Sequence, residues 1–224
     1  MKKPFHGRVV VITGAGRGLG RALAEQFSAE GASLVLGARS SAEIDELASR
    51  LGNAVSVQTD VRLPVDCDRL VEAAVAEFGR LDIMINNAGL AVYGPVEGTS
   101  PDAVHAMIDT NVKGVIFGSQ AAFRVMKAQG SGLIINISSI AGKLHLPNEA
   151  VYNASKWAVN GFTGTLRLDG APQRGRELRV PRRHRHPLLA GDGRLPLSRR
   201  HRSHHGLHAP RGGGGDGGGG RAKV

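Results

Sequence analysis

Cysteine is almost missing from this chain: Cys67 is the only one in 224 residues. No internal disulfide can form, and no set of thiolates can complete a metal site. Cys67 stands between Asp66 and Asp68, whose charges oppose a thiolate, so it reads as inert. Long apolar runs are missing as well. The basic start Met1-Lys2-Lys3-Pro4-Phe5-His6-Gly7 is followed by about five apolar residues before glycines interrupt, too few for a signal peptide or a membrane span. The expectation is a cytoplasmic protein with no membrane partner.

Aromatic residues make up 4% of the chain, and residues 169–224 have none. That last quarter is built differently from the rest. Residues 1–168 hold 16 Lys+Arg against 15 Asp+Glu, whereas residues 169–224 hold 13 against 4 and six of the nine histidines. With Gly212–Gly215 and Gly217–Gly220 added, the segment cannot build much core. We therefore divide the chain into a domain over 1–168 and a basic, Gly/His/Arg-rich tail over 169–224, read as disordered or as the product of a reading-frame shift near Asp169. Translating the neighbouring frame of the gene tests the second explanation. A basic tail can bind nucleic acid by counterion release, but the lack of aromatics for base stacking weighs against that partner. His201, His204, His205 and His208 read as an adventitious metal binder, so no metal site is assigned.

Against this background, Tyr152-Asn153-Ala154-Ser155-Lys156 puts a phenol and an ammonium four residues apart in a helical run, hence on one helix face. A nearby cation favours the ionised phenol, which makes Tyr152 a candidate general acid/base. Upstream, the β-branched run Arg8–Thr13 flows into Gly14-Ala15-Gly16-Arg17-Gly18-Leu19-Gly20 and then a helical pattern. Strand, glycine turn and helix form a dinucleotide cradle: glycines allow a tight turn and close backbone approach, and the helix N-terminus attracts a pyrophosphate.

Apolar runs at Arg8–Thr13, Ser33–Ala38, Ala54–Thr59, Leu81–Asn86 and Leu133–Ser138 alternate with amphipathic stretches at Gly20–Glu30, Ser41–Leu51, Pro64–Phe78, Pro101–Gln129 and Tyr152–Leu168. The pattern predicts an α/β fold, a doubly wound parallel sheet of the Rossmann type with an incomplete C-terminal part. Its ligands bind beyond the carboxyl ends of the strands, where Gly14–Gly20, Asn87–Gly89 and Ser139 all fall.

Four motifs, in order, make the chain resemble the short-chain dehydrogenase/reductase family over about three-quarters of its length: Thr13-Gly14-x-x-x-Gly18-x-Gly20, Asn86-Asn87-Ala88-Gly89, Ser139 thirteen residues before Tyr152, and Tyr152-x-x-x-Lys156. Asn111 also sits where the family keeps an asparagine. The resemblance implies hydride transfer between a nicotinamide and a carbonyl or secondary alcohol. Tyr152 would exchange the proton, Ser139 would position the carbonyl oxygen, Lys156 would bind the nicotinamide ribose, and Asn111 would hold a water leading to Lys156. It further implies that Asp60 and the Val61 N–H hold adenine and that Asn87, Ala88 and Gly89 run beneath the adenosine ribose. Local alternatives stay open: Ser139 as a cap of its turn, and Asn87–Gly89 as an ordinary turn.

The second strand ends Gly37-Ala38-Arg39 with no carboxylate for a ribose. Arg39, with Arg17 in the glycine turn, suits a 2′-phosphate, so NADP(H) is expected over NAD(H), with Gly14, Gly18, Leu19 and Gly20 on the pyrophosphate side. The expected substrate is a small carbonyl or alcohol, with 3-oxoacyl thioesters as one class, and the expected assembly is a homodimer or homotetramer. Past the Tyr152 helix the chain departs from the family pattern where the family builds its substrate wall. Weak NADPH affinity and little turnover are therefore expected. The reading from another class is a non-catalytic protein binding nucleotide or nucleic acid on the first part of the fold.

Overall fold

Strand β1, Val9–Thr13, is buried along its whole length, as five β-branched residues in a central parallel strand should be. The computed structural model describes residues 3–170. After β1 come α1 (Gly18–Ala29), β2 (Ser33–Ala38), α2 (Ser41–Leu51), β3 (Ala54–Gln58), α3 (Pro64–Phe78), β4 (Ile83–Asn86), α4 (Pro101–Ile108), α5 (Gly114–Gln129), β5 (Leu133–Asn136) and α6 (Ala150–Asp169). The sheet is parallel in the order β3-β2-β1-β4-β5. The doubly wound expectation holds, and of the tail expected over 169–224, residues 171–224 lie outside the described residues.

Alternation along the strands sorts the core into two layers. Val9, Val11, Val35 and Met84 face Leu70, Ala74, Ala122 and Met126 of α3 and α5. Val10, Ile12, Leu34, Leu36, Ile83 and Ile85 face Ala24, Ile44 and Leu47 of α1 and α2. Cys67 is fully buried in the first layer. Burial, then the charges of Asp68 and Asp66, push its thiol up to about 12, in keeping with the inert reading.

The single helix expected over Pro101–Gln129 is broken. Between α4 and α5 the backbone widens into a π-turn, Asp109–Lys113, centred on Asn111. The strand order reverses between β1 and β4, so the switch point of the sheet lies where Thr13 and Asn87 leave their strands.

Candidate active site

The glycine turn is built for close approach. Gly14 has φ +65°, and a Cβ there would lie 2.9 Å from Ala88 Cα, so the loop after β4 packs directly on its backbone. A Cβ on Gly20 would collide with the Gly14 carbonyl. Helix α1 therefore starts hard against the turn. Its Arg17 cap makes no side-chain capping bond, and its first turn holds no acidic residue. Those N–H groups and the positive dipole end are open to an anion.

Thr13 ties the two sides of the switch point together. Its buried hydroxyl oxygen accepts both the Asn87 and the Ala88 N–H at 3.0 Å, while Asn87 Nδ2 donates to Thr13 O at 2.9 Å and Gly14 O at 3.2 Å. Beneath this, Asn86 Nδ2 donates to Asn136 Oδ1 at 2.8 Å and Ser119 Oγ at 3.0 Å, and Asn136 Nδ2 donates to Thr163 Oγ1 at 2.9 Å. One buried polar ladder thus links β4, β5, α5 and α6.

Above the strand ends lies a cleft of about 460 Å³. Of the residues expected to bind cofactor, Gly14, Arg17, Leu19, Arg39, Asp60, Val61, Asn87, Ala88 and Gly89 line it. Gly18 and Gly20 do not; they shape the turn. Sequence reasoning missed Glu43, Ser40, Thr59, Leu90 and Thr110 in the same lining. Asp60 is gripped by its own loop: Arg62 Nε and Nη2 reach its carboxylate at 2.9 and 2.6 Å. The Arg62 side chain, with help from its backbone N–H, holds the Asp60 carboxyl below the usual carboxylate range.

Tyr152, Lys156, Ser139 and Asn111 lie beyond the cleft lining, and Gly89 connects the two regions. A Cβ on Gly89 would come within 3.2 Å of Asn111 Oδ1 and 3.7 Å of Lys156 Nζ. The Lys156 side chain is buried, donates to Ile137 O at 3.0 Å, and has its Nζ 5.6 Å from the centre of the Tyr152 ring. Burial pushes its pKa down. The Tyr152 ring meets Tyr93 edge-on, with centroids 6.0 Å apart.

The two remaining residues hold the site in shape. Ser139 Oγ accepts the Ala141 N–H at 3.2 Å and so caps the 3₁₀ turn Ile140–Gly142. Accepting leaves its hydroxyl proton available to donate. Both ends of the Asn111 amide are engaged by protein: Oδ1 accepts the Leu90 N–H at 2.9 Å, and Nδ2 donates to Leu90 O at 2.8 Å and Ser155 Oγ at 3.1 Å. Its amide joins the loop after β4 to α6, one position before Lys156.

Among the described residues no group of His, Cys, Asp or Glu could hold a metal, and no helix is long and apolar enough to cross a membrane.

The profile of the short chain dehydrogenase family matches residues 8–180. An oxidoreductase of Staphylococcus saprophyticus is 42% identical over 166 residues, covering 73% of this chain and 68% of the relative. Versicolorin reductase of Emericella nidulans is 35% identical over 168 residues, covering 73% of this chain and 63% of the relative. The structure of a short chain dehydrogenase/reductase from Burkholderia phymatum in complex with NAD superposes with a TM-score of 0.75 at 34% identity, covering 80% of this chain and 65% of that one. This chain thus spans about two thirds of the length of such relatives. Over that span both its sequence and its parallel sheet resemble theirs, and the chain belongs to the short chain dehydrogenase family.

Proposed function

We propose that this protein is an NADP(H)-dependent oxidoreductase acting on a carbonyl/secondary alcohol pair. The observation that carries the reading is the convergence at Gly89. Gly89 lines the cleft, and a Cβ there would lie 3.7 Å from a buried Lys156 ammonium whose Nζ is 5.6 Å from the Tyr152 ring centre.

The residues present fit a dinucleotide. The uncapped start of α1 and the bare Gly14 backbone would take the pyrophosphate, Arg17 and Arg39 a 2′-phosphate, and Gly89 the ribose nearest Lys156. When bound, the nicotinamide supplies or accepts the hydride. Tyr152 Oη gives its proton to the substrate oxygen in reduction and takes one back in oxidation, with the Lys156 ammonium 5.6 Å from its ring centre. Ser139 Oγ–H donates to the same substrate oxygen and orients it. Asn111 holds the Leu90 loop against α6, which keeps Lys156 beside Gly89. A water held at the π-turn would return protons to Lys156.

Tyr93 lies edge-on to Tyr152, and with Val92, Val96, Ile140 and Leu144, exposed on the segments that follow β4 and β5, it favours a substrate with an apolar body, of which 3-oxoacyl thioesters are one class. A solved relative holding NAD makes the cofactor choice the finer point. The test compares wild type with Tyr152→Phe in NADPH and NADH oxidation over a panel of carbonyl compounds. Loss of about 10²-fold or more in turnover is expected; equal rates would remove the enzyme reading and leave a nucleotide-binding protein. A cytoplasmic location and a dimer or tetramer belong to the same proposal.

A further inference from the structure

We infer that Glu43 is a specificity-determining residue of the cleft: its carboxylate opposes a 2′-phosphate and favours a free ribose hydroxyl, holding down the preference that Arg17 and Arg39 confer. The inference rests on the nucleotide-binding reading of the cleft, not on turnover.

Strand β2 ends without a carboxylate, but one arrives from the next element. Glu43 stands in the first turn of α2 and lines the cleft together with Gly16, Arg17, Arg39 and Ser40. Its side chain lies across the glycine turn. A Cβ on Gly16 would fall 3.0 Å from Glu43 Cβ and 3.3 Å from its Cδ, and would collide with Oε2. The bare glycine at position 16 lets the carboxylate lie there, and a side chain would push it aside.

The other acids of α2 are occupied. Glu46 pairs with Arg21 at 2.9 Å and with Arg50 at 3.6 Å, and Asp45 accepts from the Ser56 hydroxyl. Glu43 makes no ion pair and accepts no side-chain hydrogen bond among the described residues, so its oxygens are available to a ligand. Asp60, the other carboxylate of the lining, is already neutralised by Arg62. The ribose end of the cleft therefore presents two guanidinium groups and one uncommitted carboxylate.

These charges sort ligands in opposite directions. A ribose hydroxyl can donate to a carboxylate, whereas a phosphate there offers acceptors and close to two negative charges, which the carboxylate repels. The arginines do the reverse. Glu43 therefore moves the cleft toward accepting both forms of the dinucleotide, and salt weakens its effect because the group is exposed.

Calorimetric binding of 2′,5′-ADP and of 5′-AMP tests this without needing the nicotinamide end. Glu43→Gln keeps the side-chain shape, and should tighten 2′,5′-ADP by about three- to tenfold at low salt without tightening 5′-AMP, an effect that shrinks at high salt. Arg39→Ala should move the ratio the other way, and Glu43→Ala should match Glu43→Gln in direction. If wild type binds both ligands and neither Glu43 variant alters their ratio, the inference fails while the nucleotide reading stands. If wild type binds neither, the nucleotide reading fails and takes the inference with it.

Discussion

Lys156 shows at the scale of one residue how a buried charged group strains the fold that carries it. An ammonium enclosed in the protein, with the Ile137 carbonyl as its hydrogen-bond acceptor, is costly to keep charged, and burial lowers its pKa. A lysine whose folded pKa lies below its unfolded value binds fewer protons when folded. Stability therefore rises as pH climbs from the folded pKa toward the unfolded value of about 10.4. Lys156→Met should thus raise stability at pH 7 by ~1 kcal/mol while abolishing reductase turnover, and its advantage over wild type should shrink toward pH 10. Urea unfolding at several pH values measures this; a variant less stable than wild type at pH 7 would contradict it. The Tyr152/Lys156 pair was readable in the chain because both partners sit on one helix. Glu43 was not. Its place follows from how α2 leaves β2 and leans over Gly16, and four positions of sequence separation from Arg39 say nothing about that.

At the scale of elements, the π-turn at Asp109–Lys113 is where local and long-range demands meet. Asparagine is a poor residue inside a helix, and Asn111 stands inside the stretch Pro101–Gln129 at a position marked by the family resemblance. What it could not give was the form of the break or the identity of Leu90 and Ser155 as partners, since those contacts span 21 and 44 residues. Asn111→Ala leaves the Leu90 N–H and C=O without their side-chain partner. It should cost about 2–4 kcal/mol of stability by denaturant titration and weaken NADPH binding as the Leu90 loop loosens. Stability within ~0.5 kcal/mol of wild type would show the amide bridge to be dispensable. Strand boundaries were legible to within one or two residues because a strand covered on both faces reads as a continuous apolar, β-branched run. The Arg62 grip on Asp60 was not, because several loop conformations satisfy the same letters.

Across the whole molecule, the end of the sheet opposite the cleft is closed by one carboxylate. Asp82, nearly buried, accepts from Arg80 Nε at 2.8 Å, Arg8 Nη1 at 2.7 Å and the Val9 N–H at 3.0 Å, so it binds β1 to the segment leading into β4. Burial works to raise its pKa, but the bonds from Arg80, Val9 and Arg8 outweigh it and leave the carboxyl below the usual range. A depressed folded pKa means that this contribution is present above about pH 4 and is lost as pH falls through the folded value. Asp82→Asn should therefore destabilise the domain by about 1–3 kcal/mol at pH 7, with the gap closing near pH 3. Denaturant midpoints at the two pH values check it; a gap independent of pH would assign the loss to packing.

A widened turn in mid-helix also has a phase. Inserting one residue into an α-helix rotates everything after it by about 100°, so α4 and α5 present faces offset from what one uninterrupted cylinder would show. Removing a single residue from Asp109–Lys113 would repair the helical bonding locally while swinging every side chain of α5, Ser119 and Met126 among them, off its seat. The irregular spot is therefore the register key of that layer: shortening it to a more perfect helix would unlock the stack of α5 on the sheet.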